Sequence, residues 1–317
     1  MQQYCIYVYL FSFLVKIKDM DYDVIIIGGS YAGLSAALTL GRATRKILVV
    51  DGGKPCNKLT PHSHNFLTHD AQTPAQISSI AKAEILKYPT VEFLDGEVLV
   101  AKKIENVFQI ELKNGNRFTA RKLLLATGLK DNLPNITGLK ECWAISVIHC
   151  PYCHGFEVKD EKIGLFMNGD QAFEMAKNLN LWNKDLTILT NGKSALTPEQ
   201  IDKLLSKSIK IVENEIEELE HADGSLETVK FKNGNELKLK AIYMRPEVDQ
   251  HINFDQQLGF ELTELKTVKI DEQQQTTVKG VYAAGDCATL FRSLSVITAS
   301  GTLAAVMINK ELIDEDF

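Results

Sequence analysis

The amino-acid sequence predicts an α/β fold with two three-layered, Rossmann-like dinucleotide-binding domains, the second inserted into the first. Residues 22–51 read as an apolar strand, a glycine turn, a helix with small residues facing the strand, and a second apolar strand, which together make a βαβ unit. A similar order of elements begins again at Lys162, and each round contains the hairpin tetrapeptide Lys-Asn-Gly-Asn, at 113–116 and at 232–235. Duplication of a nucleotide-binding domain explains this better than two coincident turns.

The other segments extend this plan. A helix is expected over about 75–87, and a strand-rich stretch then ends in the buried strand and turn at 123–128. The C-terminal stretch reads as a strand, a loop with an aspartate and a long apolar helix, which would return to complete the first domain. The first domain is therefore predicted at 20–131 and 244–317, and the inserted domain at 132–243.

Composition narrows the class of protein. The chain has 317 residues, a formal net charge of −6 and only six cysteines, which is too few for a disulfide scaffold. No basic field is available for nucleic acid or an anionic membrane, and a reducing cytoplasm is the expected setting. The apolar run at 4–15 is too short to span a bilayer, so residues 1–19 are interpreted as an appended tail outside the fold, with a weak membrane anchor as the alternative.

The first glycine turn, at 28–33, has the context of a dinucleotide fingerprint. It lies between a strand and a helix, and Asp51 follows at the spacing expected for an acceptor of ribose hydroxyls. Gly28 would permit the tight turn and Gly33 the close approach of helix and strand, while the small Ser30 stands in place of the usual middle glycine. The alternative is a glycine turn in an ordinary βαβ unit.

The second turn, at 167–172, is a poorer match. It keeps only the middle glycine and the final small residue of the pattern. The following strand ends at 189–192 without a carboxylate for a ribose diol or an arginine for a 2′-phosphate, and Lys193 is the nearest cation. A working nicotinamide site and a structural relic of one both remain open.

A C-x-x-C pair marks the start of the inserted domain. Cys150 and Cys153 would open a helix, whose N-terminus lowers a thiol pKa and favours a reactive thiolate. His154 is the adjacent candidate base, with His149 as the second candidate. The alternatives are a c-type haem attachment, a structural zinc site and a pair of buried structural cysteines, which the flanking nucleotide-binding units, the missing further ligands and the flanking histidines disfavour.

From 21 to about 313 the sequence resembles the low-molecular-weight thioredoxin reductases. The resemblance lies in GG-x-x-AG, ATG at 126–128, the C-x-x-C, and GVYAAGDCA at 280–288. Three details are more similar to a subgroup that includes the dithiol oxidases of epidithiodiketopiperazine biosynthesis: CPYCHGFE, HSHNFLTHD at 62–70, and a shortened RPEVDQ at 245–250.

This resemblance implies FAD as the cofactor and leaves NAD(P)H uncertain, because the family's basic signature for NADPH is absent. It implies that Cys153 faces the flavin, Cys150 exchanges with substrate, and His154 replaces the family's proton-transferring aspartate. The GD aspartate, Asp286, would bind the ribityl chain. The predicted FAD-binding residues are Gly28, Ser30, Ala32, Gly33, Asp51, Asn65, Val98, Thr127, Gly128, Gly285 and Asp286.

The predicted function is therefore an FAD-dependent thiol–disulfide oxidoreductase, acting on a small dithiol or a thioredoxin-like protein with an electron partner other than NADPH. The alternatives are an ordinary NAD(P)H-dependent disulfide reductase, a flavoprotein oxygenase, and a redox sensor with bystander cysteines. No metal site is predicted, because His62, His64 and His69 are interpreted as loop residues lining the mouth of the flavin or substrate site. Cys287 is interpreted as a small buried residue at the start of a helix, and the family's habit suggests a homodimer.

Overall fold

The computed structural model of the protein describes residues 21–317, and the predicted tail at 1–19 lies outside them. The strands are β1 (Tyr22–Ile27), β2 (Ile47–Asp51), β3 (Val91–Asp95), β4 (Val98–Ile104), β5 (Val107–Leu112), β6 (Arg117–Leu125), β7 (Lys130–Asn132), β8 (Val147–Ile148), β9 (Ile163–Phe166), β10 (Leu186–Leu189), β11 (Lys210–Val212), β12 (Ile216–Ala222), β13 (Ser225–Phe231), β14 (Glu236–Lys238), β15 (Ala241–Met244), β16 (Glu247–Asp249) and β17 (Val281–Ala283). The helices are α1 (Tyr31–Arg42), α2 (Pro74–Ile85), α3 (Leu139–Cys142), α4 (Pro151–His154), α5 (Gly169–Leu179), α6 (Pro198–Leu205), α7 (Phe254–Leu258) and α8 (Leu294–Asp316).

The first sheet contains strands from both ends of the described chain. Its order is β3-β2-β1-β6-β5-β4, and β17 pairs with β6. Strands β1, β2, β3, β6 and β17 pair with one another in parallel, whereas β6 pairs antiparallel with β5. The nearly continuous apolar sequences of β1, β2 and β17 reflect burial on both faces. Because β17 comes from the last part of the sequence, the C-terminal segment does return to complete this sheet, as predicted.

The strands of the second sheet come from the stretch of sequence between β6 and β17 of the first sheet. Its order is β11-β10-β9-β15-β8, with parallel pairing throughout, and a separate antiparallel sheet contains β12, β13 and β14. A two-stranded ribbon of β7 and β16 lies where the chain leaves and re-enters the first unit. The predicted α/β fold, with one nucleotide-binding unit inserted into another, is confirmed, whereas the boundaries at 131/132 and 243/244 remain predictions.

Helix α8 is the one helix of the described residues that is long and apolar enough to cross a membrane. Its buried side chains, including Ala304, Ala305 and Ile308, belong to the same core cluster as Ala37 and Leu40 of α1. This packing is that of a core helix in a globular domain.

Lys122 anchors the end of α8 and should contribute strongly to stability. It is only 3% exposed, and its Nζ lies 2.9 Å from Glu311 Oε1 and 2.5 Å from Glu315 Oε1. Replacing it by Ala removes the cation beside Glu311 and leaves Glu315 with Arg121 alone, so we expect Lys122→Ala to lower the free energy of unfolding by about 3 kcal/mol. Lys310→Ala, which removes an exposed pair with Asp314, should cost less than about 0.5 kcal/mol. Urea unfolding of both variants checks this, and equal losses would contradict it.

Candidate active site

An elongated cavity lies at the carboxyl ends of the first sheet's strands. Its wall includes the turn after β1, the end of β2, the segments 96–98 and 126–129, the loop after β17, and His149 from the second unit. This is where open parallel sheets bind nucleotides, outside the carboxyl ends of the strands.

The first glycine turn has the geometry that the fingerprint requires. Gly28 has φ +110°, and a Cβ there would lie 2.1 Å from the Ala126 carbonyl oxygen. A Cβ on Gly33 would lie 1.9 Å from the Gly28 carbonyl oxygen, so both contacts exclude side chains. The Ser30 side chain makes no hydrogen bond that caps α1, which leaves the first helical amides to face a phosphate. Asp51 accepts a hydrogen bond from the Gly29 amide at 3.2 Å. The cradle therefore fits FAD.

Most of the predicted FAD-binding residues line this cavity. They are Gly28, Ser30, Ala32, Asp51, Val98, Thr127, Gly128, Gly285 and Asp286. Gly33 lies behind the wall and serves the contact between helix and strand. Asn65 lies in an exposed loop outside the wall, where its amide donates a hydrogen bond to Asp70. Contact of each residue with FAD remains a prediction.

A buried ionic cluster in the wall was not predicted from the sequence. Arg292 donates from Nε to Asp286 at 2.8 Å and from Nη1 to Asp131 of β7 at 2.6 Å. Burial raises the pKa of Asp286, and the Arg292 guanidinium opposes that rise. Cys56 faces the open cavity but is closely surrounded by protein atoms. This enclosure, with the charge of Asp286 beside it, raises the pKa of the Cys56 thiol to about 11. Cys56 therefore stays protonated at neutral pH.

His149, the residue before Cys150, lies in the cavity wall. Its ring stacks on Trp143, with centroids 6.0 Å apart. Burial, aided by the nearby positive charge of Arg292, lowers the pKa of His149 to about 4. The imidazole is therefore neutral at pH 7.

The depressed pKa of His149 makes stability depend on pH. Between pH 6.5 and about 4 the unfolded chain binds the proton that the folded imidazole refuses, so stability falls as the pH drops through this window. On lowering the pH from 7.5 to 5, the parent protein should lose about 2 kcal/mol more than His149→Gln. Thermal unfolding at the two pH values checks this. Identical losses would show that His149 is not held neutral.

The two cysteines of the pair are joined by a disulfide, with their Cα atoms 5.2 Å apart. Cys150 is the N-cap of α4, and its sulfur accepts a hydrogen bond from the Cys153 amide at 3.1 Å. The predicted helix is thus present but spans only Pro151–His154, so its dipole is small and this amide is the main local stabiliser of a Cys150 thiolate.

The remaining described cysteines have no redox partner in residues 21–317. Cys287 is fully buried, and its thiol donates to the carbonyl oxygens of Leu125 and Ala284 at 3.3 Å. Burial raises its pKa to about 11. The expectation of a small buried residue agrees with this, but Cys287 lies in the loop after β17, because α8 begins only at Leu294.

His154 lies beside a histidine from the first unit. The rings of His154 and His64 are 6.5 Å apart and nearly perpendicular, and His64 Nδ1 lies 3.5 Å from Glu157 Oε1. Burial lowers the pKa of His154, and the Glu157 charge opposes this. His62, His64 and His69 do not line the cavity described above. His64 instead contacts His154 of α4. The positions of the two histidines in the sequence did not predict this contact.

The second nucleotide turn is occupied by the chain's own side chains. Asn168 Oδ1 accepts hydrogen bonds from the amides of Gly169 and Ala195, both at 2.8 Å, so the first amide of α5 is already bonded. Glu213 Oε1 accepts from the Ser194 amide at 2.9 Å, which places a carboxylate at the loop after β10.

Comparison with known proteins shows similarity along nearly the whole described chain. The sequence profile of the pyridine nucleotide-disulphide oxidoreductases matches residues 22–304. Thioredoxin reductase tcpT of Claviceps purpurea is 30% identical over 302 residues, covering 92% of this chain and 94% of the relative. The crystal structure of a putative thioredoxin reductase TrxB from Bacillus anthracis is 34% identical with a TM-score of 0.89, covering 93% of this chain and all of that one. An oxidoreductase structure from Agrobacterium tumefaciens is 36% identical with a TM-score of 0.87, covering 93% and 99%.

Proposed function

Because the chain belongs to the pyridine nucleotide-disulphide oxidoreductase family and is an FAD-dependent thiol–disulfide oxidoreductase of the thioredoxin-reductase type, we propose that it oxidises small dithiols and does not draw its electrons from NADPH. Family membership confirms the resemblance inferred from the motifs. Family membership leaves open the direction of electron flow and the class of substrate, and both are proposed.

The occupied second nucleotide turn is the observation that carries the proposal. A helix N-terminus binds a pyrophosphate through free amides, but Asn168 already bonds the first amide of α5 and ties it to Ala195. Recognition of a 2′-phosphate uses cations, whereas Glu213 places a negative charge at this loop and Lys193 is the nearby cation. The bonded amide of Gly169 and the negative charge of Glu213 both disfavour NADPH.

The surface around the cysteine pair favours a small apolar dithiol. Tyr152, between the two cysteines, is 64% exposed, and Phe156, just after α4, is 79% exposed. Tyr152 packs edge-on against Trp182, with centroids 5.5 Å apart, which holds its ring beside the disulfide. Aromatic faces next to a reactive disulfide would contact the apolar body of a substrate. A thioredoxin-like protein is the competing substrate.

The chemistry of the chain is thiol–disulfide exchange. A substrate thiolate attacks the Cys150 sulfur, the Cys150–Cys153 bond breaks, and Cys153 leaves as a thiolate. The second substrate thiol then displaces Cys150, which releases the cyclic disulfide and leaves both enzyme sulfurs reduced. His154 accepts a thiol proton in this sequence. Bound FAD supplies a two-electron acceptor that restores the enzyme disulfide.

We also propose that the protein is cytoplasmic and forms a homodimer.

The test is aerobic turnover. Purified FAD-loaded protein is incubated with an apolar 1,3- or 1,4-dithiol, and separately with NADPH plus a thioredoxin disulfide. We expect molecular oxygen to take the two electrons and two protons as hydrogen peroxide, with one cyclic disulfide formed per oxygen molecule consumed and little NADPH consumption. Rapid thioredoxin reduction at the expense of NADPH would support the ordinary reductase. Turnover of a substrate without sulfur by Cys150→Ser would support the flavoprotein oxygenase.

A further inference from the structure

The side chains of His64, His154 and Glu157 lie close together at the end of α4, although His64 comes from a distant part of the sequence. His64 lies in the loop before α2, whereas His154 ends α4 and Glu157 follows it. The His64 ring lies edge-on to His154 at 6.5 Å, and its Nδ1 is 3.5 Å from Glu157 Oε1 and 3.8 Å from Asp70 Oδ1. The function described above uses only His154.

The exposure of the side chains increases from His64 through Glu157 to Asp70. The side chain of His64 is 18% exposed, that of Glu157 37% and that of Asp70 70%. The groups therefore connect a partly buried imidazole to bulk water through titratable atoms. A proton released near the disulfide has a path to solvent along them.

We propose that His64, Glu157 and Asp70 form a proton outlet for His154, in which His64 and Glu157 also position the His154 ring. This inference rests on the proposed dithiol oxidation. When a substrate S–H bond breaks, the sulfur keeps the electron pair and the proton moves to a His154 nitrogen. It then passes to Glu157 or His64 and leaves through Asp70, so that no electron moves in the outlet and His154 is neutral again for the next thiol.

The charges around His154 suit this role. Burial lowers the pKa of His154, which favours loss of its proton, and the charge of the Glu157 carboxylate opposes this shift. His64 faces Asp70, Glu157, His154 and, at 6.4 Å between rings, His62. Among the neighbouring groups, the buried Tyr243 hydroxyl also experiences Glu157. Burial first, and then that charge, raise the pKa of Tyr243.

Reduction of the enzyme disulfide in the FAD-loaded protein under anaerobic conditions reports the proton step directly. We would follow thiol labelling of the Cys150–Cys153 pair by mass after mixing with dithiothreitol between pH 6 and 9.5, in the parent, His64→Ala, Glu157→Gln and His69→Ala. His69 is the matched control, because it lies in the same loop but contacts Gln72. Flavin reduction by dithiothreitol in the FAD-loaded proteins gives the second readout.

At pH 6.5 we expect His64→Ala to be about tenfold slower than the parent, with Glu157→Gln intermediate and His69→Ala unchanged. The difference should vanish near pH 9.5, where thiols ionise without help, and added imidazole should restore most of the rate of His64→Ala. Parent-like pH profiles in both variants, or a slowing that is the same at every pH and resists imidazole, would overturn the outlet. A parent disulfide that no dithiol reduces would overturn the proposed function itself.

Discussion

Cys153→Ser should abolish reduction of the flavin by dithiols, with a loss greater than about a thousandfold. In the proposed mechanism electrons pass from substrate to FAD through the Cys150–Cys153 disulfide, and without Cys153 this bond cannot form. Cys150→Ser should also stop turnover, but it retains a Cys153 thiolate. The resemblance to the thioredoxin reductases implies that Cys153 faces the flavin, so we expect this thiolate to contact oxidised FAD and to add a long-wavelength absorbance band.

Anaerobic stopped-flow absorbance distinguishes the two variants. Cys142→Ser is the control, since Cys142 is buried in the core of the inserted unit, and it should reduce like the parent. If Cys150→Ser and Cys153→Ser both turned over like the parent, the pair would be structural. If only Cys153→Ser showed the long-wavelength band, the assigned roles of the two cysteines would be reversed.

Gly33→Val should yield protein without FAD and with a large loss of stability. A Cβ at this position would lie 1.9 Å from the Gly28 carbonyl oxygen, so α1 would have to move away from β1 and open the phosphate cradle. Overpacking of a buried contact costs about 1–3 kcal/mol, and the loss of bound FAD adds to this.

Flavin content and thermal unfolding of Gly33→Val are compared with those of Gly115→Asn. Gly115 also needs a positive φ, +85°, but lies in the β5–β6 turn with no atom near its Cβ position, and Asn tolerates such backbone. This control should keep its FAD and lose at most about 1 kcal/mol. A yellow, parent-like Gly33→Val would contradict the role given to the turn.

Local sequence signals predicted the fold and much of the cavity wall. The apolar run of β1, the turn with Gly28 and Gly33, and the spacing to Asp51 each depend on neighbouring residues, so a single sequence displays them. The paired hairpins and the return of β17 to the first sheet were likewise predicted from their order.

Contacts between distant segments could not be predicted. Arg292 joins Asp286 to Asp131, and nothing near Arg292 in the sequence indicates this partner. His64 reaches His154 only because the loop before α2 packs on the redox segment. Asn65 lies outside the cavity wall, and its contact with FAD stays a prediction.

The local surroundings of a side chain, and therefore its pKa, also could not be predicted from the type of residue. His149 looked like a second candidate base, yet burial and Arg292 hold its pKa at about 4, far below that of a neutral-pH base. Spacing alone indicated a helix after Cys150, but not that this helix would end at His154 after a single turn.

The central claim is that electrons enter from dithiols and not from NADPH, and anaerobic reduction of the bound flavin tests it most directly. The purified protein is mixed with saturating dithiothreitol, NADPH or NADH, and the loss of flavin absorbance is timed. An arginine contact to a 2′-phosphate is worth about 1.5–3 kcal/mol, and no arginine stands at 189–192. Because the first amide of α5 is also already bonded, NADPH should react at least about tenfold more slowly than the dithiol. Flavin reduction by NADPH that equalled or exceeded the dithiol rate would contradict the account.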